Sequence, residues 1–264
     1  MLTDPKARKV RGVAQLAKKD ARSETGLFLL EGVQGLKEAL AHPSLIVELY
    51  ATEEAVERNA DLFDSLADAG VSVDLASASV LKAMCDTETP QGVVAVCKQL
   101  DVSLSSVLSA RPRLIAFLSN VRDPGNAGTV LRAADAAGAD AVVFSDSSVD
   151  VYNPKVVRST TGSLFHLPIV LGVSMDTAIA EFKEAGLQVF AANGGGDSLP
   201  ELGNSVLAAP TVWVMGNEAW GFEESTLALV DRQVGLPLYG KAESLNMATA
   251  ASVCLYASAF AQNA

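Results

Sequence analysis

The sequence predicts an α/β protein of two domains, and three observations carry that expectation. Its 264 residues exceed the roughly 100–150 of a usual single domain. Short strand and helix patterns alternate from the first residues to the last. In the second half the strand segments are continuous apolar runs, as expected of a parallel sheet covered on both faces. A composition of 49% hydrophobic and 19% charged residues is that of an ordinary folded chain and sets disorder aside.

In order along the chain, the patterns predict a basic helix near 6–21, a strand at FLLEG (28–32), a helix over 33–41 and a strand at LIVELYA. A helix over 53–69, a strand at VSVDLA, a short helix at 79–84 and a strand at GVVAVCK follow. Residues 101–113, DVSLSSVLSARPR, are Ser-rich with a proline and read as a loop. The boundary falls there, giving a small α/β domain over 1–108 and a larger one over 109–264. Beyond it, LIAFLSNV is a buried strand and AGTVLRAADAAGA a helix closed by Gly138. AVVF, LQVFAAN, TVWVMG and QVGLPL supply further strands, with helices between them, so a mostly parallel, doubly wound sheet is expected. Ligands of such sheets bind beyond the carboxyl ends of the strands, here the loops after Val121, Ala192, Met215 and Leu236.

Composition also bounds location and partners. The N-terminal MLTDPKARKVRGVAQ is polar and basic with no apolar run after it, so no secretory signal is expected. The most apolar stretch, 247–261, falls short of the roughly 18 residues of a membrane span and reads as a buried C-terminal helix. Cys85, Cys97 and Cys254 are odd in number and widely spaced, which argues against disulfides and zinc and fits a reducing cytoplasm. A net charge of −11 taken alone counts against a nucleic-acid partner. Its distribution modifies this, because residues 1–22 carry Lys6, Arg8, Lys9, Arg11, Lys18, Lys19 and Arg22 against Asp4 and Asp20. That arm is a candidate phosphate contact; the alternative is a solvated helix face.

Three segments carry chemistry. The first, NVRDPGNAGTVLR, leaves a buried strand, turns and enters a helix. Asn126 stands at the helix mouth, and Arg132, six residues on, can share its broad face only if Asn126 caps from outside the first turn. The G-x-G-x-x-G pattern of a dinucleotide loop is missing. The second, VWVMGNEAWGF, is a buried strand ending at Gly216 with Glu218 just beyond. The third, LPLYGKAESLNM, leads from a strand into the last helix past Ser244 and Asn246, which would serve equally as plain capping residues.

In combination and order, NVRDPGNAGTVLRAADAAGA, VMGNEAWGF and LPLYGKAESLNMATAASVCLYA resemble the three signature motifs of the SpoU (TrmH-type) RNA ribose methyltransferases of the SPOUT superfamily. The resemblance runs through 114–264, and ETGLFLLEGVQGLKEAL with TPQGVVAV resembles the small substrate-binding domain that many members carry. It implies a deep trefoil knot in the C-terminal domain and S-adenosylmethionine as cofactor, held by loops around Asn193, Gly216, Leu236, Leu245 and Met247. It also implies homodimers and an RNA substrate, ribosomal ahead of transfer RNA, with no metal and no membrane. Catalytic positions carry over to Asn126, Arg132, Glu218, Ser244 and Asn246. Many members have a second small or acidic residue in place of Ala219 or Trp220, a departure beside Glu218 that bears on substrate shape. The intact set weighs against a catalytically silent RNA-binding protein, and the SLN triplet favours ribose over base methylation.

A guanidinium in protein is not deprotonated. Arg132 is therefore expected to anchor the target phosphate and stabilise a developing alkoxide, with Glu218 holding it and Asn126, Ser244 and Asn246 orienting the hydroxyl. His42 and His166 are expected to be structural. Arg122, Lys155 and Arg158 join the N-terminal arm as RNA-contact candidates. Replacing several arm cations with Gln should weaken RNA binding about uniformly across sequences and lower its log–log salt slope by about 1 per lost contact. Filter binding over a salt series checks this, with cofactor binding expected to be unchanged.

Overall fold

The computed structural model describes residues 1–217 and 219–264. The chain opens with α1 (Arg8–Gln15), α2 (Lys19–Thr25), β1 (Leu27–Glu31), α3 (Val33–Ala39) and β2 (Ile46–Ala51). It continues through α4 (Glu53–Arg58), α5 (Ala60–Asp68), β3 (Asp74–Leu75), α6 (Ala78–Met84) and β4 (Val93–Lys98). Next come α7 (Leu104–Ser109), β5 (Leu114–Leu118), α8 (Pro124–Ala136), β6 (Ala141–Ser145), α9 (Pro154–Thr160) and β7 (Ile169–Val173). The remainder is α10 (Met175–Glu184), β8 (Gln188–Ser198), α11 (Asn204–Leu207), β9 (Thr211–Met215), α12 (Glu224–Leu229), β10 (Arg232–Gly235) and α13 (Met247–Gln262).

These elements form two compact units, one of Met1–Leu100 with Asp150–His166, the other of Asp101–Val149 with Leu167–Ala264. In the first, a four-stranded sheet runs β1-β4-β2-β3, antiparallel except for the β2–β3 pair. Val10 and Val13 of α1, with Leu16 just after it, bury against Leu29, Tyr50, Val80 and Val94. Phe28 packs its ring on Tyr152 (centroids 5.0 Å apart) and Phe165 (6.4 Å). The late segment 150–166 thereby completes the small unit, which moves the boundary expected at 108/109. That position falls inside α7, whose Leu104 and Val107 belong to the core of the other unit with Ile115 and Phe117. The Ser-rich stretch read as loop is helical because Ser103 caps it, accepting from Ser106 N (3.2 Å).

The second unit is built on a six-stranded sheet in the order β10-β8-β9-β5-β6-β7, parallel throughout. β5, β6 and β9 are buried at every position, as their unbroken apolar sequences require. Helix α13 lies against α8, β9 and β5, and the buried Trp213 Nε1 donates to Ser258 Oγ (2.9 Å), tying strand to helix. No helix of the described residues is long and apolar enough to cross a membrane.

The basic helix expected near 6–21 is two helices separated at Leu16–Lys18, and Arg22 is not a surface cation. It is 2% exposed, donates through Nη1 to Leu16 O and Ala17 O (2.8 Å each), and pairs with Asp150 through Nε (3.0 Å) and Nη2 (2.6 Å). Its guanidinium terminates the preceding turn from inside the fold, so Arg22 leaves the set of RNA-contact candidates. Arg22→Met, which keeps the bulk and removes the donors, should lower stability by about 3 kcal/mol by leaving a carboxylate without its partner. A urea titration of the full chain measures that loss.

Candidate active site

The site grows from the carboxyl ends of β5, β8 and β9. After β5 the backbone turns through Asn120, at φ +54°, whose N–H donates to Ser145 Oγ (3.0 Å). Asp123 then caps α8 by accepting from Asn126 N (2.7 Å), and Pro124 occupies the first helical position, where a missing N–H costs nothing. Asn126 thus sits within the first turn of the helix and not outside it. At 100° per residue, Arg132 lies about 240° further round the helix. It is exposed and lines neither cavity described below, so within one chain the expected grouping of Arg132 with Asn126 does not form.

After β9, Asn217 and Gly221 exchange backbone hydrogen bonds (2.9 Å each) across a tight turn in which Gly221 has φ +69°. Asn217 Oδ1 accepts from Ala219 N (2.9 Å), and its Nδ2 donates to Asn120 O (2.6 Å), so one amide fastens this turn to the one after β5. Gly216 permits the close approach. A Cβ there would stand 2.8 Å from Gly221 O and 2.9 Å from the Phe222 ring. After Ala191, β8 skips to Asp197 between consecutive partners Gln233 and Val234 of β10. Residues 192–196 therefore bulge outward, held by Asn193 Nδ2 donating to Gln233 Oε1 (2.9 Å).

The third segment closes the site. Asn246 Oδ1 accepts from Ala248 N (2.9 Å) and Thr249 N (3.3 Å), capping α13, while its Nδ2 donates to Asn126 Oδ1 (3.0 Å). Asn246 is thus the cap of α13, as one sequence reading has it, and it also reaches across to the first turn of α8. A cavity of about 640 Å³ lies among the three segments, lined by Asn126, Asn193, Gly216, Leu236, Ser244, Leu245, Asn246 and Met247 of the expected residues. Glu218 lies outside the described residues. Sequence reasoning passed over Asn217, Gly194, Phe222 and Glu243, which also line it; an amide directly after the glycine that ends a buried strand was the available signal for Asn217.

The cavity suits a small organic ligand with an apolar ring and a polar end. Its volume falls within the roughly 300–1,000 Å³ of such sites. Met215, Phe222, Val234 and Leu236 give apolar walls, and Glu243, Asn126 and Asn246 give polar ones. A Cβ added at Gly194 would meet no protein atom within 4 Å, so bare backbone faces that wall. All three thiols are pushed up to about 12, Cys97 and Cys254 by burial and Cys85 by burial and then by Glu31, which leaves no thiolate nucleophile at neutral pH. No cluster of His, Cys, Asp or Glu among the described residues could hold a metal.

Among the RNA-contact candidates, Lys6, Arg8, Arg11, Lys18, Lys19, Arg122 and Lys155 are exposed. Lys9 is half-exposed but pairs with Asp74 (2.8 Å) and lies 5.1 Å over the Tyr50 ring. Arg158 pairs with Glu31 (3.2 Å) and Asp86 (2.9 Å), so both cations already have structural partners. Both histidines lie within the first unit, His42 bonded to Phe165 O and His166 to Glu38.

A model of the SpoU rRNA Methylase family matches residues 113–256, more than half of the chain. The chain belongs to the SpoU rRNA methylase family. A second model, for RNA 2′-O ribose methyltransferase substrate binding, matches residues 29–103. The chain is 35% identical to the 23S rRNA (guanosine(2553)-2′-O)-methyltransferase RlmP of Bacillus subtilis (strain 168), an alignment that covers 95% of this chain and 96% of that protein. The SpoU methyltransferase AviRb of Streptomyces viridochromogenes, solved in complex with AdoMet, is 27% identical with a TM-score of 0.82, over 96% of this chain and 98% of that one. An AdoMet-bound rRNA methyltransferase from Sinorhizobium meliloti is 26% identical with a TM-score of 0.80, over 97% and 96%.

In this SpoU family member the two functions of Asn246 are separable. Asn246→Ser keeps a capping oxygen but is too short to reach Asn126, so stability should stay within about 0.5 kcal/mol. Asn246→Ala should lose about 1 kcal/mol with the cap. In both, methyl transfer should fall about 100-fold, the scale of one lost positioning donor. Thermal melts beside single-turnover assays separate the two effects.

Proposed function

We infer that the protein transfers a methyl group from S-adenosylmethionine to a ribose 2′-hydroxyl of ribosomal RNA. The observation that carries this reading is the meeting of Asn126, Ser244 and Asn246 on the cavity whose other walls are the bulge of β8 and the loop after β9. The cofactor, when bound, supplies a methyl already activated by a sulfonium charge. The remaining requirement is a positioned, polarised hydroxyl, since a ribose oxygen is a weak nucleophile. Asn126 and Asn246, locked to each other, offer fixed amides, and Ser244 offers a hydroxyl two residues away. Leu236, Leu245 and Met247 exclude water from the apolar wall, and Gly194 and Gly216 let backbone polar groups approach the ligand.

A homodimer belongs to the proposal. Helix α13 leaves Val253 (43%) and Phe260 (71%) exposed, an apolar surface suited to pairing with a second copy. Arg132, turned away from Asn126 on α8, is then assigned to the site of the other protomer, where its planar fork would hold the target phosphate and stabilise charge on the oxygen; Glu218 would steady it. The knot is also part of the reading. It is supported by the path of 236–246, which leaves the edge strand β10, passes the bulge of β8 and the loop after β9, and enters α13 against β9 and β5. Exposed Lys6, Arg8, Arg11, Lys18, Lys19 and Lys155 are the phosphate contacts of the proposal, and ribosomal RNA as substrate implies action in the cytoplasm.

The product should be a 2′-O-methyl nucleotide, identified by mass spectrometry of nuclease-digested RNA and by resistance of its own linkage to alkali. A substrate with a 2′-deoxy target should bind with little loss and accept no methyl; methyl on a base would overturn the reading. Arg132→Ala should lower turnover far more than cofactor affinity, and Arg132→Lys should restore little. Mixing Arg132→Ala with Asn246→Ala chains should restore activity to about one site in four by random pairing, whereas an Arg132 acting within its own protomer would leave the mixture inactive.

A further inference from the structure

A second, more open hollow adjoins the cavity. It is lined by Arg122, Asp123 and Pro124 from the β5–α8 turn, Ala219 and Trp220 from the turn after β9, and shares Asn126, Asn217 and Asn246 with the cavity. Trp220 is 54% exposed, on a turn pinned at both ends by the Asn217–Gly221 backbone pair and anchored by Asn217 to Asn120. The guanidinium of Arg122 lies 5.2 Å from the centre of the indole ring. A large aromatic held out in solvent gains nothing for the fold, and the cation beside it adds attraction for a polyanion. Two of the walls shared with the cavity, Asn126 and Asn246, are the amides proposed to orient the ribose.

We propose that Trp220, with Arg122 beside it, is a stacking platform for an unpaired nucleobase of the substrate strand next to the target ribose. Every base has a π-face, so an indole accepts it by stacking while the guanidinium meets the adjoining phosphate. A platform on the hollow that also exposes Asn126 and Asn246 would hold an unstacked target nucleotide beside those amides. Specificity for an accessible, unstacked strand would then reside in these two side chains, which contact the substrate and leave the cofactor alone. The proposal rests on RNA methylation being the activity of the site.

The test uses the full-length protein and single-stranded oligoadenylate as a probe, beside a matched abasic ribose-phosphate oligomer. Of the two tryptophans, Trp213 is wholly buried, so quenching of emission by an added oligomer reports Trp220. Oligoadenylate should quench and the abasic oligomer should not. Trp220→Ala should weaken oligoadenylate binding by about 5- to 150-fold, the range for one stacked base, and should leave abasic binding as in the wild type. Trp220→Phe should retain most of the affinity. Affinity for S-adenosylhomocysteine, measured by calorimetry, should be the same in all three. With unmethylated 23S rRNA the Trp220→Ala protein should show a raised KM with kcat less affected. Equal binding of both oligomers by wild type and Trp220→Ala, or loss of cofactor binding in Trp220→Ala and Trp220→Phe alike, overturns the proposal. Wild-type protein that transfers no methyl to any rRNA overturns the reading beneath it, whereas active wild type with an unaltered Trp220→Ala overturns the platform alone.

Discussion

One side-chain amide joins the pieces of the catalytic unit. Asn246 caps the last helix with its oxygen and holds the first turn of α8 with its nitrogen. Two helices whose sequences lie 120 residues apart are thereby fixed at their starting points, on the same side of the sheet at which β5, β8 and β9 release their loops. Helix starts present unpaired N–H groups and strand ends present turns. Asn246 makes these features face one another across a single cavity, so the residue that satisfies a folding requirement also frames the proposed meeting place of substrate oxygen and methyl donor.

The turns around it hold their shape through a second amide. Asn217 is buried and bonds both its own turn and the one after β5, and Gly216 before it allows a backbone approach that a Cβ would block. Arrangement of this kind, rigid before any ligand arrives, is what methyl transfer from an activated donor requires, since alignment of oxygen, carbon and sulfur supplies much of the rate.

Much of this was legible in the sequence. The strands of the larger sheet announced themselves because burial on both faces demands unbroken apolar runs, and the motif residues on the cavity followed from family resemblance. Other features could not be read. Strand β7 lies at the sheet edge, with only its first two residues buried and Gly172 near its end. The glycine-rich continuation of β8 looks like loop because its pairing with β10 depends on a bulge that no periodicity records. Arg22 looked like one cation among seven because burial is a property of the partner, Asp150, which lies 128 residues away. Whether Asn126 and Arg132 share a face depended on where the helix begins, and because Asp123 rather than Asn126 caps α8 both lie inside it, about 240° apart.

The small unit borrows its completion from chain that is made late. Phe28 finds its aromatic neighbours at Tyr152 and Phe165, Arg22 finds its carboxylate at Asp150, and Glu31 finds Arg158. During synthesis, its own hundred residues would therefore wait with an apolar ring uncovered and a cation without its counter-ion until some sixty-six more had followed. The N-terminal part of such a chain cannot finish folding first, as domains usually do. The order of assembly is coupled instead: strands β5 and β6 must emerge before the segment that seals the substrate-binding unit. Gene fusions or truncations that divide the chain at its apparent linker would separate a hydrophobic surface from its cover, leaving both fragments prone to aggregate.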